Sequence, residues 1–196
     1  MVHRLKVFIV GVACCSALTP WSDASADGAS THAAIATFHA TLIAAMQQTG
    51  VDARENLIAG QVQRLFDVEG IARISVGRTW RGLSVDDRDR FKRLLRELIV
   101  ATYADRFDRF AGQSFEMEAD GLDRDDLVRT RLVKVDGSSV GLDYYLRDGR
   151  VFNVVADGVS DLSLRRADYR SIVKRQGFNA LLGHLETKIA LVRSGD

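Results

Sequence analysis

The sequence predicts an α+β domain in which helices come first, an antiparallel meander follows, and two helices close the chain. Three observations lead there. Apolar residues recur at helical spacing up to about residue 110, the period then changes to two, and Asp-Gly pairs separate the alternating runs.

After a flexible lead-in, Asp27 to Thr31, the first helix carries Ile35, Phe38, Leu42, Ile43 and Met46 and stops at Gly50. A second runs from about Asp52 to Leu65 on Leu57, Ile58, Val62 and Leu65. A short third lies between Asp67 as N-cap and Gly77 as C-cap, and the three make a small bundle. Ser84-Val85-Asp86-Asp87 reads as a cap with an acid three residues on, opening the longest helix, which is expected to reach Gly112. Its stripe of Phe91, Leu94, Leu95, Leu98, Ile99, Thr102, Tyr103, Phe107 and Phe110 is wide and aromatic at its end, as befits a helix lying across a sheet.

From Ser114, Phe115, Met117 and Ala119 alternate with acids, Val128, Thr130 and Leu132 alternate with arginines, and Val140, Leu142, Tyr144 and Leu146 follow the same rule. With Val151 to Val155 these make a twisted sheet of about four strands, turned at Asp136-Gly137 and Asp148-Gly149. Two helices, about Leu162 to Gln176 and Phe178 to Val192, finish the chain on either side of Gly177.

The first 26 residues have the three parts of a secretory signal: His3, Arg4 and Lys6, then an apolar run from Val7 to Leu18, then Ala24-Ser25-Ala26. Twelve apolar residues fall short of the roughly 20 that a spanning helix needs, so the expectation is cleavage after Ala26 and not an anchor. Lipidation at Cys14 is disfavoured by Gly11, which stands where a branched apolar residue is wanted. This leaves a single mature domain, 27–196, without cysteine and hence without a disulfide or a thiolate metal site. Removing Arg4, Lys6 and Asp23 gives (27 − 2) − (26 − 1) = 0 for its net charge. A neutral chain argues against nucleic acid as a partner.

No nucleophile elbow, phosphate-cradling loop, dinucleotide fingerprint or zinc-helix motif occurs, so no catalytic residue and no cofactor is expected. His32 and His39 share a helix face but lack a third ligand, and they and His184 read as surface histidines, so no metal is expected. Asp120, Asp123, Asp125 and Asp126 lack the closing glutamate of a calcium loop and read as a solvated turn. Arg165, Arg166, Arg170, Lys174 and Arg175 form a basic face on the penultimate helix, either solvated or a docking surface for an acidic partner or anionic headgroups.

Phe66-Asp67, Ile71-Ala72-Arg73, Gly77-Arg78-Thr79-Trp80, Asp87 to Phe91 and Tyr103 resemble the front half of the MlaC-type periplasmic lipid carriers, the toluene-tolerance family. Leu142-Asp143-Tyr144, Asp157-Gly158-Val159-Ser160, Arg165-Arg166, Tyr169-Arg170 and Gly177 before Leu181-Leu182 resemble its back half, so the likeness runs from about residue 35 to the C-terminus. Ser160 to Arg166 is closer to the branch found with hopanoid biosynthesis, whereas Arg150-Val151-Phe152 lacks the family's usual tryptophan and Asn153 replaces its usual aspartate.

The resemblance implies a periplasmic carrier that moves a hopanoid or a phospholipid between inner and outer membranes and exchanges it with membrane-bound transport complexes. The pocket is expected between the meander and the long helix, with Trp80, Leu95, Ile99, Tyr103, Phe107, Val128, Leu132, Tyr144 and Phe152 as its lining. Arg165, Arg166 and Arg170 are the expected partner-docking residues. Two other classes compete: an interaction module that binds no lipid, and an enzyme, for which Asp143 is the one candidate and alternation turns it to solvent.

Overall fold

The computed structural model describes residues 24–118 and 126–195. Five helices come first: α1 (Ala24–Met46), α2 (Val51–Leu65), α3 (Val68–Val76), α4 (Thr79–Gly82) and α5 (Val85–Arg106). A sheet follows with β1 (Ser114–Met117), β2 (Leu127–Val133), β3 (Ser139–Arg147), β4 (Arg150–Ala156) and β5 (Val159–Ser160), and then α6 (Asp161–Gln176) and α7 (Phe178–Ser194). The class is α+β, and the sheet has the order β1-β2-β3-β4-β5 with antiparallel neighbours throughout. No described helix is long and apolar enough to cross a membrane.

Local chemistry sets most of the boundaries. The Asp67 carboxylate accepts from the Gly70 amide at 2.8 Å and starts α3, and a Cβ at position 70 would run into that carboxylate. Ser84 Oγ accepts from the Asp87 amide at 3.1 Å and donates to the Asp87 carboxylate at 2.8 Å, which fixes the start of α5. Arg150 donates to the carbonyls of Gln63 and Phe66 at 2.9 and 2.8 Å, so a strand residue closes the end of α2. Asp148-Gly149 and Asp157-Gly158 both have positive φ at both residues, the requirement of a type I′ hairpin turn.

Two expectations need correction. Asp27 to Thr31, expected as a flexible lead-in, are helical, because α1 already runs at Ala24. The long helix ends at Arg106 and not at Gly112. Phe107 leaves helical geometry to place its ring against Tyr103 at 6.0 Å and Phe115 at 5.9 Å, while the Phe110 amide turns back to the Met46 carbonyl. The antiparallel sheet of about four strands is as expected, extended by the two-residue β5 that Asp157-Gly158 folds back onto β4. Thr79–Gly82 forms a helical turn of its own between α3 and α5. Residues 1–23, Ala119, Asp120, Asp123 and Asp125 lie outside the described residues.

The core sits between the helices and one face of the sheet. Phe38, Leu42, Ile58, Leu95, Leu98, Leu181 and Leu185 are all at or below 1% exposure. Because side chains alternate along a strand, Val128, Thr130, Leu142 and Tyr144 face this core, and Arg129, Arg131 and Asp143 face the other way. On that outer face Arg131 pairs with Glu118 at 3.2 Å and Glu116 at 3.8 Å.

Candidate functional site

A cavity of about 410 Å³ opens between the last two turns of α5, the inner face of β3 and β4, and the first turns of α6. Phe66 and Ile71, where α2 meets α3, close one side, and Val140, Leu142, Val154 and Ala156 extend the apolar wall along the strands. Phe38 anchors the packing behind it, with edge-on contacts to Tyr103 at 5.1 Å, Phe66 at 5.5 Å and Tyr144 at 6.4 Å. An apolar space of this size falls within the few hundred cubic ångströms typical of small-molecule sites.

Six of the nine expected lining residues meet at this cavity: Ile99, Tyr103, Phe107, Leu132, Tyr144 and Phe152. Trp80, Leu95 and Val128 are set elsewhere. The cavity touches α5 only from Ile99 onward, so Leu95, one turn earlier and fully buried, fills the helical core. Trp80 packs beside the start of α5, where Arg88 lies 5.4 Å over its ring and donates to its carbonyl at 3.1 Å. Val128 pairs with Tyr144 in register but belongs to the opposite end of β2 from Leu132, and it is 1% exposed.

The basic face divides as well. Arg166 and Arg170 are exposed around a shallow depression with Ser163 and Ala167, but Arg165 is not a surface residue. Its side chain is 11% exposed and lines the cavity, its Nε donates to Asp161 at 2.6 Å, and its Nη1 donates to the Tyr169 hydroxyl at 3.2 Å. Burial opposes the guanidinium charge, yet Tyr169 and Asp161 hold its pKa above the usual value. Asn153 places this group: its Oδ1 accepts from Ser160 Oγ at 3.0 Å and from the Leu162 amide at 3.1 Å, tying the start of α6 to β4.

One end of the cavity is therefore polar. Arg106, Asp161 and Arg165 are its charged lining residues, and Thr102 and Tyr103 add hydroxyls. Burial raises the Tyr103 pKa, and Asp161 pushes it further, against Arg106 and Arg165. Sequence reasoning had no access to Arg106 as a lining residue, since a charged side chain does not stand out in an apolar stripe. Val154, Ala156 and Leu142 do share the two-residue period of Phe152 and Tyr144 and were readable on that ground.

His39 also departs from expectation. It is 5% exposed, stacked on Phe115 at 4.0 Å and within 3.0 Å of the Tyr144 hydroxyl through Nε2. Burial lowers its pKa from 6.5 to about 4, and burial first, then Tyr103, pushes that of Tyr144 well above 10. His184 is exposed, 3.5 Å from Asp168. Among the described residues no three His, Cys, Asp or Glu side chains come together as a metal site. Asp143 sits between Leu142 and Tyr144, which both line the cavity, so it points to the opposite face, half-buried beside Arg129; burial raises its pKa against the effect of that arginine.

The arrangement offers a partly open apolar cavity with a cationic end. A family model described as "MlaC protein" matches residues 35–187. Among solved structures, the fold is similar to that of a phospholipid-binding protein from Ralstonia solanacearum, determined in complex with a phospholipid. The match has a TM-score of 0.67 at 18% identity and covers 87% of this chain and 99% of that one. At that identity the likeness concerns the fold. No curated protein matches the sequence.

Proposed function

The chain belongs to the MlaC family, and on that premise we propose that it is a periplasmic lipid carrier, exported by a signal at residues 1–26 and mature as 27–196, which takes up a phospholipid or a hopanoid and moves it between inner and outer membranes. The observation that carries the reading is the 410 Å³ cavity walled by Ile99, Phe107, Leu142, Phe152 and Val154. Bringing two acyl chains of about 30 methylenes into water costs on the order of 24 kcal/mol, and an apolar cavity is what offsets that cost. The phospholipid held by the similar Ralstonia protein supports a lipid cargo, and the Ser160 to Arg166 segment is what keeps a hopanoid in view. Membrane-bound transport complexes are the proposed donors and acceptors, with exposed Arg166 and Arg170 as their docking residues. A carrier works by binding and release, so no catalytic residue and no cofactor is assigned.

The test is transfer. Mature protein added to donor vesicles holding a labelled phospholipid or hopanoid and to unlabelled acceptors is expected to speed exchange in proportion to protein concentration. No acceleration with either lipid would remove the carrier reading and leave an envelope interaction module in its place.

A further inference from the structure

The cavity is not uniformly apolar, and its polar atoms are unevenly matched. Arg165 Nε and Nη1 are bonded to Asp161 and Tyr169, while its Nη2 has no partner among the described residues. Arg106, in the last turn of α5, lines the same end, and its guanidinium makes no hydrogen bond or ion pair among the described residues. The Tyr103 hydroxyl is likewise without a hydrogen-bond partner there, although its ring is fixed against Phe38 at 5.1 Å and Phe107 at 6.0 Å. Two arginines against one aspartate leave the lining with a charge of 2 − 1 = +1. The start of α6 adds no free donor from Leu162 or Ser163, since their amides are satisfied by Asn153 and Ser160.

Among the described residues no side-chain nitrogen or oxygen is both fully buried and without a partner, so these unpaired donors stay accessible, and the 11% exposure left to Arg165 is open to a ligand group entering the cavity. We infer that Tyr103, Arg106 and Arg165 form an anion-reading subsite, so that cargo is chosen by a phosphate or carboxylate group attached to its apolar part and a neutral amphiphile with the same tail is a poor ligand. The inference rests on the lipid-carrier reading and narrows it. An oxyanion would accept from the Tyr103 hydroxyl and the two guanidinium groups together while its tail runs along β3 and β4. A neutral polycyclic lipid would fill the apolar wall and leave these donors unmet.

The experiment is equilibrium binding of four probes to mature protein at pH 8: hexadecanoic acid against hexadecanol, and dipalmitoyl phosphatidic acid against dipalmitoylglycerol. Each anionic probe is expected to bind at least tenfold tighter than its neutral partner, the effect of one lost hydrogen bond to a charged group. That gap is expected to shrink about tenfold in Tyr103→Phe, which keeps the ring contacts to Phe38, Phe66 and Phe107, and in Arg106→Gln, which disturbs no side-chain bond of the fold. Arg165 is left intact, because it also holds Asp161 and Tyr169. A preference confined to phosphatidic acid names phosphate as the group read; one shared with the fatty acid names any oxyanion. Equal binding within both pairs, or a gap unchanged in both variants, overturns the inference while the carrier reading stands. Failure of all four probes to bind overturns both.

Discussion

Protonating His39 costs the folded protein stability, and the size of the cost follows from where the ring sits. It is stacked on Phe115 and bonded to Tyr144, and both neighbours are neutral, so nothing packed on it compensates a positive charge. With a pKa of about 4 when folded against 6.5 when unfolded, the unfolded chain binds more protons between those values. The His39 contribution is therefore fully present above pH 6.5 and is lost as pH falls towards 4. Integrating between pH 7.5 and pH 5 gives a loss of about 2 kcal/mol from this one residue. The assay is urea unfolding at the two pH values for the wild type and for His39→Gln, whose amide reaches towards Tyr144 but does not titrate. The variant is expected to lose about 2 kcal/mol less than the wild type over that interval. Equal losses in the two proteins would show that His39 is not held neutral by burial and would refute the placement of its ring.

Other predictions follow from the same geometry. Ile99→Trp, which projects into the cavity, is expected to keep its melting temperature within a few degrees and to lose lipid transfer; retained transfer would move Ile99 out of the binding space. Leu95→Ala, one turn away in the solid core, is expected to destabilise by roughly 2 to 5 kcal/mol while leaving transfer intact at low temperature. Asp143→Asn is expected to leave transfer unchanged, because the side chain faces away from the cavity; abolished transfer with a normal melting temperature would reopen the enzyme reading. Arg166→Glu with Arg170→Glu is expected to weaken association with membrane-bound partners without altering lipid affinity, and unchanged association would dismiss that face as a docking surface.

The legible parts of this fold are those whose causes are local. Asp67 and Ser84 announce α3 and α5 because a cap acts on an amide three residues away. Asp148-Gly149 marks a hairpin because two positive φ angles suit that pair, and Asp157-Gly158 has the same chemistry; β5 escaped notice because two residues show no period. The end of α5 misled, since Phe107 and Phe110 continue the apolar spacing after the backbone has left the helix. His39 falls between Ile35, Phe38 and Leu42 on the buried face of α1, but the tyrosine that satisfies it is 105 residues away. Leu95 and Ile99 lie on one stripe of one helix, and only the arrival of α6 and β4 makes one a filler and the other a wall. Arg165 shows the same limit: its pairing with Asp161 is a helical i, i+4 relation, whereas its burial depends on Asn153 fastening α6 to the sheet.

The most direct test of the carrier is native mass spectrometry of mature protein taken from its own periplasm, followed by extraction and identification of whatever it holds. The carrier reading predicts a phospholipid or a hopanoid at defined stoichiometry, and the anion-reading subsite narrows this to the phospholipid. Protein that is uniformly empty, even after incubation with membranes, would contradict it.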